Sequence, residues 1–474
     1  MSEIVATSDV RLFGSLPELT EFGWVERHSK SVQPGDLFIA VEGERFDGHQ
    51  FVVDAAEQGA AAALVRAPWA AEHHRSLGIP LLGVDDPVRA LQRLAGRRRD
   101  ELGVKVVGIT GSIGKTSTKE IVAAVLGQRF RTYRSPGNMN SEIGLPLSLL
   151  EIEAGAEVAV LEMGGAYAMG ELTLLSGIAK PDIAIVTNVH PVHLERMGSI
   201  EAIARTKAEL VEALPPHGIA ILNGDDLRVR AMAASAPGRV ITYGLQSDNE
   251  IWADRVETDG LNGSTFRLHL AGGTLHIKVP LVGGHAVELA LAGIAAGHAL
   301  GMHISEMLPG FEDVGIQVRL LVAPGPNGSS IIDDTYNASA PSVLSALGLL
   351  GEIPAGRRIA VLGDMRELGD HTEAQHRVVG RRAAEIADLL VTFGDLARII
   401  ADEARSAAAE VDGGGVHVTS FALDQRDDLV AFLLRELQVG DIALLKGSRG
   451  LHMEDIVEVL RSAANPSLRS GHGS

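Results

Sequence analysis

Gly111, Gly114, Lys115 and Thr116 stand in the stretch GITGSIGKTSTKE, residues 108–120, which ends an apolar run and leads into a helix-like segment. Backbone N–H groups of a glycine turn that opens a helix can surround a phosphate, a lysine adds positive charge, and a hydroxyl reaches magnesium. Gly111, Ser112 and Gly114 would form the turn, Lys115 and Thr116 suit the charge and hydroxyl roles, and Ser117 completes the candidate nucleotide set. The strict pattern G-x-x-x-x-G-K-[ST] is not met, because Ile109 occupies the first glycine position and Gly108 falls one residue early. A glycine turn with an exposed lysine is the plain alternative, but strand, loop and helix in the right order favour nucleotide binding. The loop alone does not separate an ATPase from a switch or a ligase.

Magnesium shared with nucleotide phosphates takes hard oxygen ligands. Glu162 closes the apolar run AVLEMG, at the edge where ligands collect in a parallel sheet, and His193 in NVHPVHLE follows the next strand. Taken singly, each has an ordinary reading as a solvent-facing acid or a loop histidine; His190, three residues before His193, offers a second ligand, but the preferred reading is that it shapes its loop. Lys207 in IARTKAEL reads by itself as part of a solvated helix face. Asn138, Asn140 and Glu142 in PGNMNSEIGLPL belong to an Asn-rich turn. Asp334, Tyr336 and Asn337 follow SSIIDD, and Lys446, Ser448 and Arg449 end or follow GDIALLKGS; both groups read plainly as polar loops closing an α/β sheet.

Positioning these residues takes a large scaffold. At 474 residues the chain exceeds one ordinary domain, and two or three are expected. A hydrophobic fraction of 46% with 22% charged residues is normal for a globular protein. No apolar stretch approaches the roughly 20 residues of a membrane helix, so no membrane insertion is expected. MSEIVATSDVRLFGS lacks the basic flank and apolar run of a secretory signal, so a cytoplasmic location is expected. With no cysteine there is no disulfide, no thiolate metal site and no cysteine nucleophile. A formal charge of −19 argues against nucleic acid or anionic lipid as a nonspecific partner, so an anionic substrate would need a local basic site.

Three blocks follow from the patterning, an α/β organisation spanning 1–104, 105–315 and 316–474. In the first, a turn at Pro34-Gly35 leads into a strand, a later Ala-rich segment reads as a helix, and the Arg run of RALQRLAGRRRDELG reads as a solvated helix face. In the second, VKVVGIT, AEVAVLEMG, DIAIVTNV and GIAILNGDD alternate with helical segments, the pattern of a parallel sheet covered by helices. After about residue 248 the rhythm shortens into an antiparallel meander, closed by the helix GHAVELALAGIAAGHALGM. The third has strands SSIIDD, RRIAVLGD, ADLLVTFG and GDIALLKGS with helices between, a second doubly wound, Rossmann-like unit. The tail NPSLRSGHGS has the composition of a disordered end.

TGSIGKTSTKE, GNMNSEIGLPLSLL, KPDIAIVTNVHPVHLERMGSIEAIARTKAEL, IDDTYNASAPS, VLGDMRELG and LLKGSR occur in one order that resembles the Mur ligases. VQPGDLFIAVEGERFDGHQF is similar to the uridine-nucleotide domain of the same family, so the likeness covers nearly the whole chain. The likeness is greatest to the branch that adds D-alanyl-D-alanine to UDP-N-acetylmuramoyl-tripeptide in peptidoglycan precursor synthesis. The resemblance implies three domains: an N-terminal UDP-binding domain, a central P-loop ATPase domain with an antiparallel appendage, and a C-terminal Rossmann-like domain. It implies ATP and two magnesium ions as cofactors and an acyl-phosphate intermediate. Lys115 and Thr116 match the family's phosphate and first-magnesium positions, and Glu162 and His193 match its metal ligands. Lys207 matches a lysine carried as a carbamate that helps hold the second magnesium, which makes Lys115, His193 and Lys207 the expected catalytic set. Asn138, Asn140 and Glu142 fall on the peptide side, Ser29 on the uridine side, and Asp334, Tyr336 and Asn337 face nucleotide and incoming amine. Lys446, Ser448 and Arg449 would touch anionic groups after domain closure, and Arg319 would lie near phosphate.

Three departures stand out. His28-Ser29-Lys30 replaces the usual D-S-R, Ala286 and Leu289 replace asparagines, one of them near adenine, and Val318-Arg319 replaces Gly-Arg. Two alternatives follow, a ligase adding one diamino acid to the UDP-dipeptide and a non-catalytic nucleotide-binding regulator on the same scaffold. A monomer is expected.

Overall fold

The computed structural model describes residues 10–16, 21–43, 46–165, 168–192, 194–258, 263–281, 285–312, 321–335, 337–409 and 415–464. His193, Arg319, Tyr336, the border at 315/316 and the tail from 465 lie outside the described residues. Three sheets organise the rest.

The first runs in the order Arg11–Phe13, Leu81–Val84, Ala62–Arg66, Leu37–Ile39, Val25–Glu26, parallel except for Arg11–Phe13. The Ala-rich segment does not form one helix. Helix Val52–Glu57 stops before Gln58-Gly59, and Ala62–Arg66 is a strand whose first four residues are buried. Burial of AALV within the sheet outweighs alanine's helix preference.

Helix Pro87–Leu102 closes this block. The Asp86 carboxylate accepts from the N–H groups of Val88 and Arg89, proline opens the first turn, and Gly103 ends the helix in the left-handed conformation. Its Ala90, Leu91 and Leu94 share one core with Leu37, Leu64 and Leu82 and with Leu147 of the next block. The Arg run is not simply solvated. Arg98 donates to the Ile152 carbonyl at 3.2 Å, and Arg99 donates to the carbonyls of Ala179 at 3.0 Å and Lys180 at 2.8 Å. These acceptors lie at or just beyond the ends of helices Gly144–Leu150 and Glu171–Ala179, where carbonyls lack intrahelical partners.

The central sheet has nine strands, in the order Gly273–Val279, Ser264–Leu270, Ile251–Thr258, Arg239–Gly244, Ile219–Asn223, Ile183–Val186, Lys105–Thr110, Val158–Glu162, Thr132–Arg134. Strands from Ile251–Thr258 to Thr132–Arg134 are parallel, and the last two at the other end are antiparallel. The meander therefore continues the central sheet through the pairing Tyr243↔Ile251. Helix Lys115–Gly127 buries Ile121, Val122, Val125 and Leu126 against Leu291 and Ile294 of helix Ala286–Ala299. A Leu→Ala change in such a core costs about 2–5 kcal/mol. Register does the functional work: Ile109 is opposite Glu162 and Thr110 opposite Val186, so three neighbouring strands deliver their following residues to one edge.

The third sheet runs Leu321–Pro324, Ser330–Asp333, Asp441–Lys446, Arg357–Gly363, Leu389–Phe393, His417–Phe421, parallel except for the Leu321–Pro324 edge. Among the described residues no helix is long and apolar enough to cross a membrane.

Candidate active site

Gly111 leaves strand Lys105–Thr110 so close to the neighbouring strand's exit that a Cβ there would lie 1.9 Å from Thr187 Oγ1. Only glycine permits that approach. The loop is then fastened on both sides of Ile113. Asn188 Oδ1 accepts from the Ile113 N–H at 2.9 Å, Asn188 Nδ2 donates to the Ile113 carbonyl at 3.1 Å, and Thr187 Oγ1 donates to the same carbonyl at 2.8 Å. Ser112 Oγ accepts from the His190 N–H at 2.9 Å and donates to the His190 carbonyl at 3.1 Å, so the His190 backbone fastens the loop from that side. Gly114 then takes the N-cap of helix Lys115–Gly127 with φ +79° and supplies no capping side chain, so the helix start points backbone donors and a positive dipole end outward. Lys115 folds back over the turn, donating to the Gly111 carbonyl at 2.9 Å. Ser117 is buried in the first turn.

Glu162 ends the adjacent strand and is 1% exposed. Its Oε2 accepts from the Thr116 hydroxyl at 2.6 Å, its Oε1 accepts from Asn140 Nδ2 at 2.7 Å, and its N–H donates to Ser135 Oγ at 3.2 Å. A hydroxyl and a carboxylate converging beside a phosphate-type loop are the hard donors that magnesium takes, so the residues fit the ion. Asn140, expected on the peptide side, turns toward Glu162, whereas Asn138 and Glu142 are exposed on the same turn.

Lys207 sits on helix Ile200–Glu212, which Ser199 caps by accepting from the Ala202 N–H. It does not lie on a solvated face: it is 3% exposed and lines one pocket with Gly111, Ser112, Lys115 and Gly165. Its Nζ reaches the Gly165 carbonyl at 3.4 Å. Burial, reinforced by the Lys115 charge and opposed by Glu171, pulls its pKa down to about 7. A buried lysine of this kind offers a neutral, nucleophilic amine near neutral pH. On the other side of the turn, Leu289 lies against Gly114, and His285 pairs with Glu288 at 3.4 Å. Burial lowers the pKa of His190, against the pull of Asp226, and the Glu288 contact raises that of His285.

The third block holds its candidates differently. Lys446 is buried in an ion pair with Asp334 at 2.7 Å and donates to the Asn337 carbonyl at 2.8 Å, so here it braces the 334–337 loop instead of facing solvent. Asn337 is exposed. Ser448 Oγ accepts from the Arg366 N–H at 2.9 Å, and the Arg449 side chain is exposed. The loop after strand Arg357–Gly363 reaches the central block, where a Cβ at Gly369 would lie 3.5 Å from Glu195 Cα. Ser29 is buried at the turn Ser29–Ser31 of the first block.

An acidic group at Glu42, Asp47 and His49 is otherwise engaged. His49 Nδ1 donates to Asp47 at 2.6 Å, Nε2 accepts from the Arg66 N–H at 3.0 Å, and Glu42 pairs with Arg66 at 2.7 Å. Sequence reasoning missed Thr187, Asn188, Lys119 and Ser135. The available signal for the first two was the uninterrupted TNVH directly after a strand.

The family model for the Mur ligase middle domain matches residues 109–297, that for the Mur ligase glutamate ligase domain 318–449, and that for the Mur ligase family catalytic domain 24–99. The chain is 36% identical over 449 residues to the UDP-N-acetylmuramoyl-tripeptide--D-alanyl-D-alanine ligase of Bacillus subtilis, covering 94% of each chain. Its fold matches a crystal structure of MurF from Acinetobacter baumannii with TM-score 0.84 and 29% identity, over 97% of this chain and 98% of that one. It also matches MurF ligase from Thermotoga maritima in complex with ADP, with TM-score 0.78 and 27% identity, over 95% and 100%.

Proposed function

Since the chain belongs to the Mur ligase family, we propose that it joins D-alanyl-D-alanine to UDP-N-acetylmuramoyl-tripeptide using ATP, as the names of its MurF relatives describe. The observation that carries this reading is the Glu162 carboxylate, bracketed by Thr116 and Asn140 beside the phosphate-type turn, with the Lys207 amine in the adjoining pocket.

In the first step a carboxylate oxygen of the peptide bonds to the γ-phosphorus of ATP, ADP leaves, and an acyl phosphate forms. The amine of D-alanyl-D-alanine then adds to the acyl carbon, the tetrahedral intermediate expels phosphate, and the nitrogen loses a proton as the amide forms. Two anions must meet in the first step, so charge neutralisation and positioning supply most of the catalysis. Lys115 and the backbone donors of residues 111–117 bind and orient the phosphates. Thr116, Glu162 and His193 would hold magnesium, whose chemistry is charge neutralisation at those phosphates. Asn140 keeps the Glu162 carboxylate aimed. Lys207, through its neutral amine, adds to carbon dioxide with loss of a proton, turning a cation into an anion suited to a second magnesium.

The remaining assignments rest on the family pattern. Residues 1–104 take the uridine end through Ser29, 105–315 the ATP, and 316–474 the incoming amine, with Arg319, Asp334, Tyr336 and Asn337 on the nucleotide side. Asn138 and Glu142 face the peptide, while Ser448 and Arg449 approach once the third block closes, an induced-fit step. Lys446 serves them by holding the 334–337 loop. The protein acts as a cytoplasmic monomer.

Phosphate release from magnesium-ATP, measured with each substrate alone and with both, tests the reading. Release that needs both substrates, with the pentapeptide product found by mass, is expected, and Lys115→Ala should abolish it. ATP and UDP-peptide binding without ADP formation would refute it in favour of a non-catalytic role.

A further inference from the structure

Lys119 has no solvent exposure, although it lies only one turn beyond Thr116 on helix Lys115–Gly127. A buried ammonium is costly unless its hydrogen bonds are met, and an apolar side chain would fill the same space without that cost. Lys119 Nζ donates to the Ser135 carbonyl at 2.6 Å and the Gly137 carbonyl at 2.8 Å, with Glu120 Oε1 at 3.2 Å. Both carbonyl bonds thus go to one turn, the segment leaving strand Thr132–Arg134, while the neighbouring Glu120 on the helix balances the charge.

That turn holds Glu162 from two directions. Ser135 Oγ accepts the Glu162 N–H at 3.2 Å, fixing the backbone, and Asn140 Nδ2 donates to Oε1 at 2.7 Å, fixing the carboxylate. The Asn140 carbonyl also accepts from the Gly164 N–H at 2.9 Å, tying the turn to the chain just past Glu162. Thr116, three residues before Lys119 and hence on the same helix face, meets the other carboxylate oxygen. Helix, turn and strand end therefore close a polar circuit in which Lys119 is the charged tie.

We propose that Lys119 is a positioning residue that aims the Glu162 carboxylate through the Ser135–Asn140 turn, so magnesium–nucleotide affinity depends on a lysine that contacts neither ion nor phosphate. This rests on the assignment of Glu162 to magnesium. Groups that orient a metal ligand from behind typically change metal affinity by about 10–100-fold when removed.

The test is calorimetric binding of ADP to the full chain, with magnesium and with EDTA, which requires no turnover. The parent should bind ADP more tightly with magnesium. Lys119→Met should lose about 10-fold or more of that enhancement while its EDTA affinity stays unchanged, because Lys115 and the turn amides are intact. The double variant Lys119→Met/Asn140→Ala should be no weaker than the weaker single variant, since both act on one carboxylate. Parent-like magnesium dependence in folded Lys119→Met, or losses that multiply in the double variant, would overturn the proposal. If circular dichroism shows Lys119→Met unfolded, Lys119→Gln takes its place. It keeps a donor toward the turn but removes the ammonium that reaches the Ser135 and Gly137 carbonyls together, and should show the same selective loss, whereas parent-like binding would again overturn the proposal. A parent whose ADP affinity ignores magnesium would refute the Glu162 assignment itself and this inference with it; an effect missing only in the variants refutes Lys119 alone.

Discussion

Replacing Lys207 by methionine should stabilise the nucleotide-free protein below pH 7 and remove a pH dependence. The pKa of Lys207 is about 7 in the folded chain against 10.5 for an ordinary lysine. Between those values the unfolded chain holds a proton that the folded chain lacks, so stability rises with pH by about 1.4 kcal/mol per unit. Below pH 7 both states are protonated and the full penalty of burying the ammonium applies, up to about 5 kcal/mol over the whole window. From pH 7, where the folded Lys207 is half-protonated, to pH 9 the parent should therefore gain about 2.3 kcal/mol relative to Lys207→Met. Urea denaturation of both proteins at pH 6, 7, 8 and 9, in buffer depleted of carbon dioxide, measures the difference directly. Parallel curves for parent and variant across this range would refute the idea that the pocket strips the proton. Added bicarbonate should raise parent stability alone, because only the parent has an amine there to carboxylate.

Other perturbations probe the frame around the site. Asn188→Ala removes two hydrogen bonds to the Ile113 peptide and should weaken ADP binding about 10–100-fold by calorimetry, with little change in melting temperature. Lys446→Met removes the buried Lys446–Asp334 ion pair and the bond to the Asn337 carbonyl, and should destabilise the protein by about 3 kcal/mol in urea. Arg99→Ala uncovers the Ala179 and Lys180 carbonyls and should cost about 1–3 kcal/mol, read by the same denaturation.

Much of the site was legible because Thr110 and Glu162 each end an apolar run, and parallel strands bring such ends to one edge. Asn140 could be placed on the right turn but not aimed, since its partner is Glu162, 22 residues away. Lys119 in GKTSTKE looks like any solvent lysine until the carbonyls 16 and 18 residues on enclose it. Arg98 and Arg99 are likewise indistinguishable from a solvated run without the helix ends they cap, 54 and 80 residues away. The short strands Thr132–Arg134 and Arg11–Phe13 are too brief to show a period of two, and their place is set by pairing with neighbours. The Ala-rich segment misled because propensity is a local preference and the sheet is a long-range demand.

Helix Pro87–Leu102 blurs a border that the sequence draws near residue 104. Its Leu91 and Leu94 belong to the same core as Leu37 on one side and Leu147 on the other, while Arg98 and Arg99 clasp the central block. The two blocks are therefore not interchangeable cassettes. A first block transplanted from a relative would bring its own version of this helix, and it would dock only if the recipient's Leu147 face and the carbonyls of Ile152, Ala179 and Lys180 matched it. Modularity in this chain ends at a shared helix, so inheritance of the first block ties it to the surface of the second.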